Sequence, residues 1–253
     1  MQAQRYEWLD IVRAGLAGLI ILQHVYWLSS GQEYSWGRAQ LVVNSFIILA
    51  GFFAAFSLQK KPEPYLQFVW RRYKRLLPAY IFSLGLALAV RPFVLGTNPF
   101  EAPREIHESD HFWTLLAVHV PLTHCLVPEA FLPSTGDAFL PSAWFVSLMA
   151  QLYLLAPWLV GLSEVALWRV FALSLVALIH PLTWRMYHYW SPFGGFAPQK
   201  LYLFIMGILA YYYVPLVFPP VPKPLKPALW IGRGSYWIYL VHYPLLQLLF
   251  RWL

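Results

Sequence analysis

Long apolar stretches recur along the whole sequence, and they constrain the fold more than any other feature. Each approaches the length of about 20 residues that a helix needs to cross a bilayer. Of the 253 residues, 59% are hydrophobic and only 11% are charged, whereas soluble domains carry about 25% charged residues. Because so little charge cannot keep a surface of this size in water, the sequence predicts a polytopic membrane protein.

The predicted fold is an all-α transmembrane bundle of about eight spans, forming one membrane-embedded domain over residues 1–253. Pro121 and Pro128 interrupt the fourth span, and such stretches also occur as re-entrant or broken helices that line a cavity. The first is predicted to be a span rather than a cleaved signal peptide, because Asp10 and Arg13 interrupt it and further spans follow. The predicted spans are 8–28, 41–59, 76–95, 112–128, 143–163, 165–182, 200–218 and 229–250.

Basic residues cluster in one loop and predict the orientation of the chain. Residues 59–75 contain six Lys and Arg, whereas residues 98–111 contain four acids and one arginine. Because Lys and Arg are enriched in cytoplasmic loops, the first loop is expected inside and the second outside. Eight spans in the plasma (inner) membrane then place both termini in the cytoplasm, although Lys223 and Lys226 fall outside and fit the rule poorly. The net charge of +7 is assigned to such loops, so no nucleic-acid partner is expected.

The first predicted span carries ionisable residues on one face. Arg13 and His24 are eleven residues apart, so a helix brings them to nearly the same angle, about 16 Å apart along its axis. Asp10 precedes Arg13 by three residues and can pair with it. Ionisable groups within a span usually face the bundle interior or a wet cavity, so the spacing favours a polar stripe. A structural ion pair at the membrane edge and a histidine at the outer interface remain alternatives.

Five short motifs occur in an order that is typical of one family. The first, "LDIVRAGLAGLIILQH" (9–24), resembles the arginine, ten residues and histidine that open the acyltransferase 3 family of integral membrane acyltransferases. The others are "NSFIILAGFF" (44–53), "RRYKRLLPAY" (71–80), "AWFVSLMAQLYLLAP" (143–157) and "GSYWIYLVHYPLL" (234–246). On these motifs the chain is identified as a short member of that family.

The motifs depart from the family pattern at several positions. Met149 and Ala150 stand where the fourth family motif has two glutamates, so no carboxylate role is carried over to them. Asn44 and Ala50 stand where aspartate and serine are frequent. Members usually have more spans, and the deficit here falls between residues 157 and 230, so the acceptor side of the site is expected to be reduced or completed by a partner.

The resemblance implies an acyl-CoA-dependent O-acyltransferase. Such an enzyme moves an acyl group, most often acetyl, from acyl-coenzyme A to a hydroxyl of a sugar, glycolipid or other cell-envelope acceptor. A hydroxyl needs a base before it attacks, and neutral imidazole suits that task, so His24 is the candidate general base. Arg13 is the candidate catalytic and donor-binding cation, supported by Asp10. Direct transfer and a transient acyl-histidine both remain open.

Residues of the third and fifth motifs are expected to complete the site. Arg72 and Arg75 lie one helical turn apart and are expected to bind the phosphates of coenzyme A. Their alternative role is to set topology and contact anionic lipids. Ser235, Tyr236 and His242 are the candidate oxyanion donors if the last span packs on the first. The alternative for this motif is an aromatic helix start at the interface.

Other features give weaker signals, and other classes of function remain open. His107 and His111 lie among acids, but their spacing matches no compact ligand motif, so no metal site is expected. Cys125 is the only cysteine, so no internal disulfide forms. A small transporter or flippase with a polar lumen accounts equally well for intramembrane charges. A non-catalytic relative on the same scaffold is a third hypothesis, and a homo-oligomer remains open.

Overall fold

The computed structural model is a bundle of α-helices. It describes residues 7–30, 36–95, 111–133, 135, 138–140, 142–165, 168–169, 172, 195–214 and 221–252, and no strand occurs among them. Seven helices with defined bounds lie in these ranges, together with 3₁₀ turns at His124–Leu126 and Lys223–Leu225. The helices are α1 Glu7–Ser30, α2 Trp36–Lys60, α3 Tyr65–Leu95, α4 Phe112–His119, α5 Ala143–Ser163, α6 Ala197–Tyr213 and α7 Lys226–Trp252.

Four of the described helical segments are long and apolar enough to cross a membrane. They are Glu7–Ser30, Gln40–Lys60, Tyr65–Val90 and Ala143–Ser163, and they match the first, second, third and fifth predicted spans. The predicted class, a helical membrane protein, is therefore supported, but the predicted number of eight spans is not confirmed. The sixth predicted span, 165–182, lies largely outside the described residues.

The segment predicted as the fourth span is a short hairpin. Helix α4 has only eight residues and ends at His119. Pro121 follows, and the next residue, Leu122, adopts the left-handed conformation with φ 64°. A proline has no amide to donate and a left-handed residue reverses the chain, so the helix cannot continue. The prediction of one span over 112–128 is therefore wrong.

Helix α5 forms the centre of the bundle. Its first ten residues, Ala143–Leu152, are all buried. Ser147 donates a 2.8 Å hydrogen bond to the Leu122 carbonyl and so attaches the hairpin to α5. The Gln151 amide group donates to the Gly195 carbonyl at 3.0 Å and accepts from the Ala197 amide at 2.9 Å. These bonds satisfy polar groups in an apolar interior and fix the start of α6 against α5.

The backbones of helices α2 and α6 pack directly against each other. A Cβ added at Gly51 would lie 2.1 Å from the Phe204 carbonyl oxygen, and one added at Gly207 would lie 1.9 Å from that of Ile48. Only glycine fits at these two positions. Small residues at such crossings let the backbones of two apolar helices pack closely.

Helix α7 runs parallel to α1, which changes the predicted topology. Gly232 lies against the backbone of Asp10 near the start of α1, and His242 contacts His24 towards its other end. Residues 7 and 252 therefore lie at opposite ends of the bundle. This direction does not fit the even number of crossings on which the predicted shared side of the termini depends, and the side of the membrane on which each terminus lies stays a prediction. Lys226, where α7 begins, accordingly lies near the start of α1.

Candidate active site

A wide cavity opens at the end of the bundle where α1 and α7 begin. Its volume is about 680 Å³. Among the described residues that line it, seven are Lys or Arg and one is a carboxylate. The lining residues of this basic vestibule are Asp10, Arg13, Phe53, Phe56, Ser57, Lys60, Lys61, Arg71, Arg72, Arg75 and Arg233. Such a concentration of like charge in a concave site attracts anions that carry several charges.

A smaller chamber of about 70 Å³ continues from the vestibule into the bundle. Arg13, Arg72 and Arg75 line both cavities and stand where the two meet. Five of the predicted site residues, drawn from α1, α3 and α7, therefore border one chamber. Beyond the three arginines its walls are mostly apolar and aromatic. They are formed by Phe46, Ala50, Leu76, Phe145, Met149, Tyr153, Ser235, Tyr236 and Tyr239.

Arg13 is held by a carboxylate on one side and an aromatic ring on the other. Its Nη1 lies 3.3 Å from Asp10 Oδ1, and the two side chains are only 17% and 16% exposed. Its guanidinium carbon lies 4.0 Å from the centre of the Phe53 ring. Asp10 is also 3.5 Å from Arg233 Nε. Asp10 therefore orients Arg13 at the chamber entrance, and its supporting role in the site stays a prediction.

Arg72 is held by aromatic faces and a backbone carbonyl. Its guanidinium carbon lies 5.1 Å from the ring centres of both Phe68 and Tyr153. Its Nη2 donates to the Phe53 carbonyl at 3.3 Å, and its buried Nε has no hydrogen-bond partner. A buried guanidinium with an unused donor is costly unless an anion completes it. Arg72 thus keeps an unused buried donor at the chamber entrance.

His24 lies beyond the chamber, in contact with the last helix. His242 Nε2 is 3.3 Å from His24 Nδ1, and the two ring centres are 4.9 Å apart. Each Nδ1 also contacts a backbone carbonyl one turn earlier, at 2.9 Å from Ile20 O for His24 and 3.1 Å from Ile238 O for His242. Tyr243 packs edge-on against His24 from the same helix.

Three aromatic rings stand on the side of the chamber that faces the two histidines. Phe145 and Tyr239 have ring centres 5.0 Å apart, and Phe46 lies within 6.4 Å of both. Tyr239 also lies 6.1 Å from His242. Tyr239 therefore lies between the chamber, which it lines, and the histidine pair.

The two hydroxyl groups predicted as oxyanion donors lie in the chamber and not beside His24. Ser235 is buried in the chamber wall. Tyr236 also borders the chamber, but its hydroxyl donates to the Leu76 carbonyl at 3.0 Å, so its proton is already used. Of the three candidates for that role, only His242 contacts His24.

Besides Phe145, two further residues of the fourth motif line the chamber, although the sequence did not single them out as site residues. Met149 and Tyr153 are four residues apart, so they share one face of α5. Met149 stands at a family glutamate position, and its side chain adds an apolar wall among the three arginines. The signal available in the sequence was the helical phase of the motif, which places these two residues on the same face.

A second group of histidines is buried away from the chamber. His119 and His124 stack with ring centres 4.1 Å apart, and Tyr80 stacks on the other face of His124. Burial lowers the pKa of His119 to about 4, and it also lowers that of His124, so both rings are neutral at physiological pH. No group of three or more potential metal ligands lies together in the described part of the chain, and His107 falls outside it.

Comparison with known proteins identifies one family. The family model of an acyltransferase domain, acyltransferase 3, matches residues 6–230 of this chain. No curated protein and no solved structure matches it. The matched region contains α1 to α6 and so includes His24 and the three arginines at the chamber entrance.

Proposed function

The chain belongs to the acyltransferase 3 family, which makes it a membrane acyltransferase in general terms. From that premise we propose that it moves an acyl group, with acetyl as the first candidate, from acyl-coenzyme A to a hydroxyl. The proposed acceptor is a sugar, glycolipid or other hydroxyl compound of the cell envelope. The observation that carries the proposal is that Arg13, Arg72 and Arg75 line both the basic vestibule and the mostly apolar chamber.

The charge of the vestibule matches the charge of the proposed donor. Coenzyme A carries a pyrophosphate and a 3′-phosphate, and arginine forks bind phosphate oxygens in pairs. Arg72 and Arg75 are arranged for one such contact at the chamber entrance, and Lys60, Lys61 and Arg233 widen the basic surface around it. The negative nucleotide would then stay in the vestibule.

The chamber suits the remainder of the donor. The arm that joins the nucleotide to the thioester is long, narrow and uncharged, and the chamber beyond the arginines is narrow and mostly apolar. Arg13 and His24 are about 16 Å apart along α1. The arm would span about this distance between phosphates held at the arginines and the base. The rings of Phe46, Phe145 and Tyr239 must shift for the thioester to reach His24.

The reaction then needs one base and no cofactor besides the donor. His24 takes the proton of the acceptor hydroxyl as its oxygen attacks the thioester carbonyl carbon. The carbon–sulfur bond breaks, the acyl group stays on the acceptor oxygen, and the coenzyme A thiolate leaves. The imidazolium of His24 returns the proton to the thiolate, which restores the neutral base.

Orientation in the membrane is the first prediction, because the donor must reach the vestibule. The basic end is proposed to face the cytoplasm in the inner membrane, as the enrichment of Lys and Arg in cytoplasmic loops suggests. Single cysteines placed by Lys61→Cys and Lys226→Cys are expected to react with an impermeant maleimide in inside-out vesicles but not in right-side-out vesicles. The native Cys125 is buried and serves as the background control. Labelling of the two sites from opposite sides would contradict this topology.

Donor binding is the direct test of the proposed function. Acetyl-coenzyme A at millimolar concentration is expected to raise the melting temperature of the purified protein in detergent, and to do so saturably. Acetyl-pantetheine, which lacks the nucleotide phosphates, is the matched ligand control and should protect far less. The absence of any protection by acetyl-coenzyme A would count against the proposal, and protection without acyl transfer would favour the non-catalytic relative.

A further inference from the structure

Two histidines on parallel helices form a hydrogen-bonded pair beside the chamber. We propose that His242 is the positioning residue for His24, and that it accepts a hydrogen bond from Nδ1–H of His24 so that the lone pair of His24 lies on Nε2. This proposal rests on the proposed function, because it concerns the base of that reaction. It replaces the oxyanion role that the sequence suggested for His242.

The backbone contacts fix which nitrogen carries each proton. A carbonyl oxygen only accepts hydrogen bonds, so an imidazole nitrogen at 2.9 Å from Ile20 O or 3.1 Å from Ile238 O must be the protonated one. Both histidines therefore carry their proton on Nδ1. A neutral imidazole has a single ring proton, so each Nε2 carries a lone pair.

The hydrogen bond between the two rings can then be donated in one direction only. His242 Nε2 has a lone pair, and it lies 3.3 Å from the protonated Nδ1 of His24. His24 is the donor and His242 the acceptor, and the His24 proton is shared between His242 and the Ile20 carbonyl. The reverse direction would put the proton of His242 on Nε2 and remove both backbone hydrogen bonds, so it would satisfy one contact in place of three.

This arrangement matters most after His24 has taken a proton. The imidazolium is a stronger donor than the neutral ring, so its hydrogen bond to His242 becomes charge-assisted and roughly twice as strong. The third member of a catalytic triad likewise accepts a hydrogen bond from Nδ1–H of the histidine base. A neutral acceptor avoids burying a permanent negative charge within the bundle, where a carboxylate would be costly.

The surroundings of the pair also hold the rings in place. Trp27 and Tyr243 both pack edge-on against His24, with ring centres 6.4 Å and 5.4 Å away, and they stack on each other. Tyr239 borders the chamber and lies against His242. His242 thus lies between Tyr239 of the chamber wall and His24.

The kinetic test compares an apolar and a polar replacement of His242. His242→Leu is expected to lower kcat about tenfold to thirtyfold, because one charge-assisted hydrogen bond to the base is lost, while KM for acetyl-coenzyme A stays within about twofold. His242→Gln, whose amide oxygen reaches the position of Nε2, should recover most of kcat. Trp237→Leu, at a site exposed on the same helix, is the matched control and should leave both constants unchanged.

The assay uses radiolabelled acetyl-coenzyme A with an extract of envelope lipids and glycans. An unchanged kcat in His242→Leu would overturn the proposal, as would equal losses in the Leu and Gln variants. A protein-wide folding defect would appear as lost thermal protection by acetyl-coenzyme A in His242→Leu, in which case His242→Gln against wild type decides the question.

A second measurement does not depend on acyl transfer. Solid-state ¹⁵N NMR of the histidine-labelled protein in bilayers distinguishes protonated from unprotonated ring nitrogens, and the His242→Leu spectrum identifies the His242 signals by difference. The expected result is an unprotonated Nε2 on His242, close to a protonated Nδ1 on His24. A protonated Nε2 on His242 overturns the proposal even if the protein transfers no acyl group, whereas lack of transfer alone overturns the proposed function.

Discussion

Replacement of His24 by alanine is expected to lower acyl transfer by about 10²- to 10⁴-fold, the usual contribution of a general base. The physical reason is that the acceptor hydroxyl keeps its proton and remains a poor nucleophile. The measurement is the initial rate of radiolabelled acetyl transfer at saturating acetyl-coenzyme A. KM for the donor should change little, because His24 lies beyond the arginines that are proposed to hold the phosphates.

Two further variants make the His24 result specific. His24→Gln keeps much of the side-chain shape but cannot accept a proton at neutral pH, so it should be as inactive as His24→Ala. Added imidazole should restore part of the activity of His24→Ala because it supplies a base to the space left by the side chain. His111→Ala, which changes a histidine outside the site, is the control. Turnover near the wild-type rate in His24→Ala would remove His24 from the mechanism.

Loss of both Arg72 and Arg75 is the second large effect expected. The double variant Arg72→Gln and Arg75→Gln should raise KM for acetyl-coenzyme A by about 10²-fold or more, since each charge-assisted hydrogen bond to phosphate contributes about 1.5–3 kcal/mol. KM for the acceptor should stay nearly constant. Rates are measured as a function of each substrate in turn, with the other at saturation.

The neighbouring lysine on the same helix provides the control for this charge effect. Lys74 lies over the Trp70 ring and is absent from the linings of both cavities. Lys74→Gln removes a positive charge from α3 without touching the proposed site, so it should leave both KM values unchanged. If the double arginine variant keeps the donor KM of the wild type, these arginines serve topology and lipid contact alone.

Helix content was predictable from composition, but helix direction was not. Apolar length in the sequence identified the four helical segments that are long and apolar enough to cross a membrane. The error at 112–128 arose because hydropathy does not report chain reversal, which here depends on Pro121 and the left-handed Leu122. The last helix also runs parallel to α1, a direction that does not fit the predicted even number of crossings. In the structure Lys226 starts α7 beside the start of α1, which removes the poor fit of this lysine to the expected charge distribution.

Helical phase predicted part of the site, and tertiary packing decided the rest. The one-turn spacing of Arg72 and Arg75 indicated a shared face, and both border the same chamber. The spacing of Arg13 and His24 indicated one stripe, but the local sequence held no information about the three rings between the chamber and His24. Likewise, nothing in the fifth motif distinguishes an oxyanion donor from an acceptor that faces His24. The catalytic and binding roles of these residues stay predictions.

The basic vestibule has a consequence for how the proposed enzyme would respond to the concentrations of acyl-coenzyme A and free coenzyme A. Its cations contact the part of the proposed donor that the reaction leaves unchanged, so free coenzyme A fits the same surface as acyl-coenzyme A. Under the proposed function the two would compete for one site, and strong binding of the nucleotide would make release of the thiol product slow. Under the proposed function, the rate of acylation would therefore follow the ratio of acyl-coenzyme A to free coenzyme A.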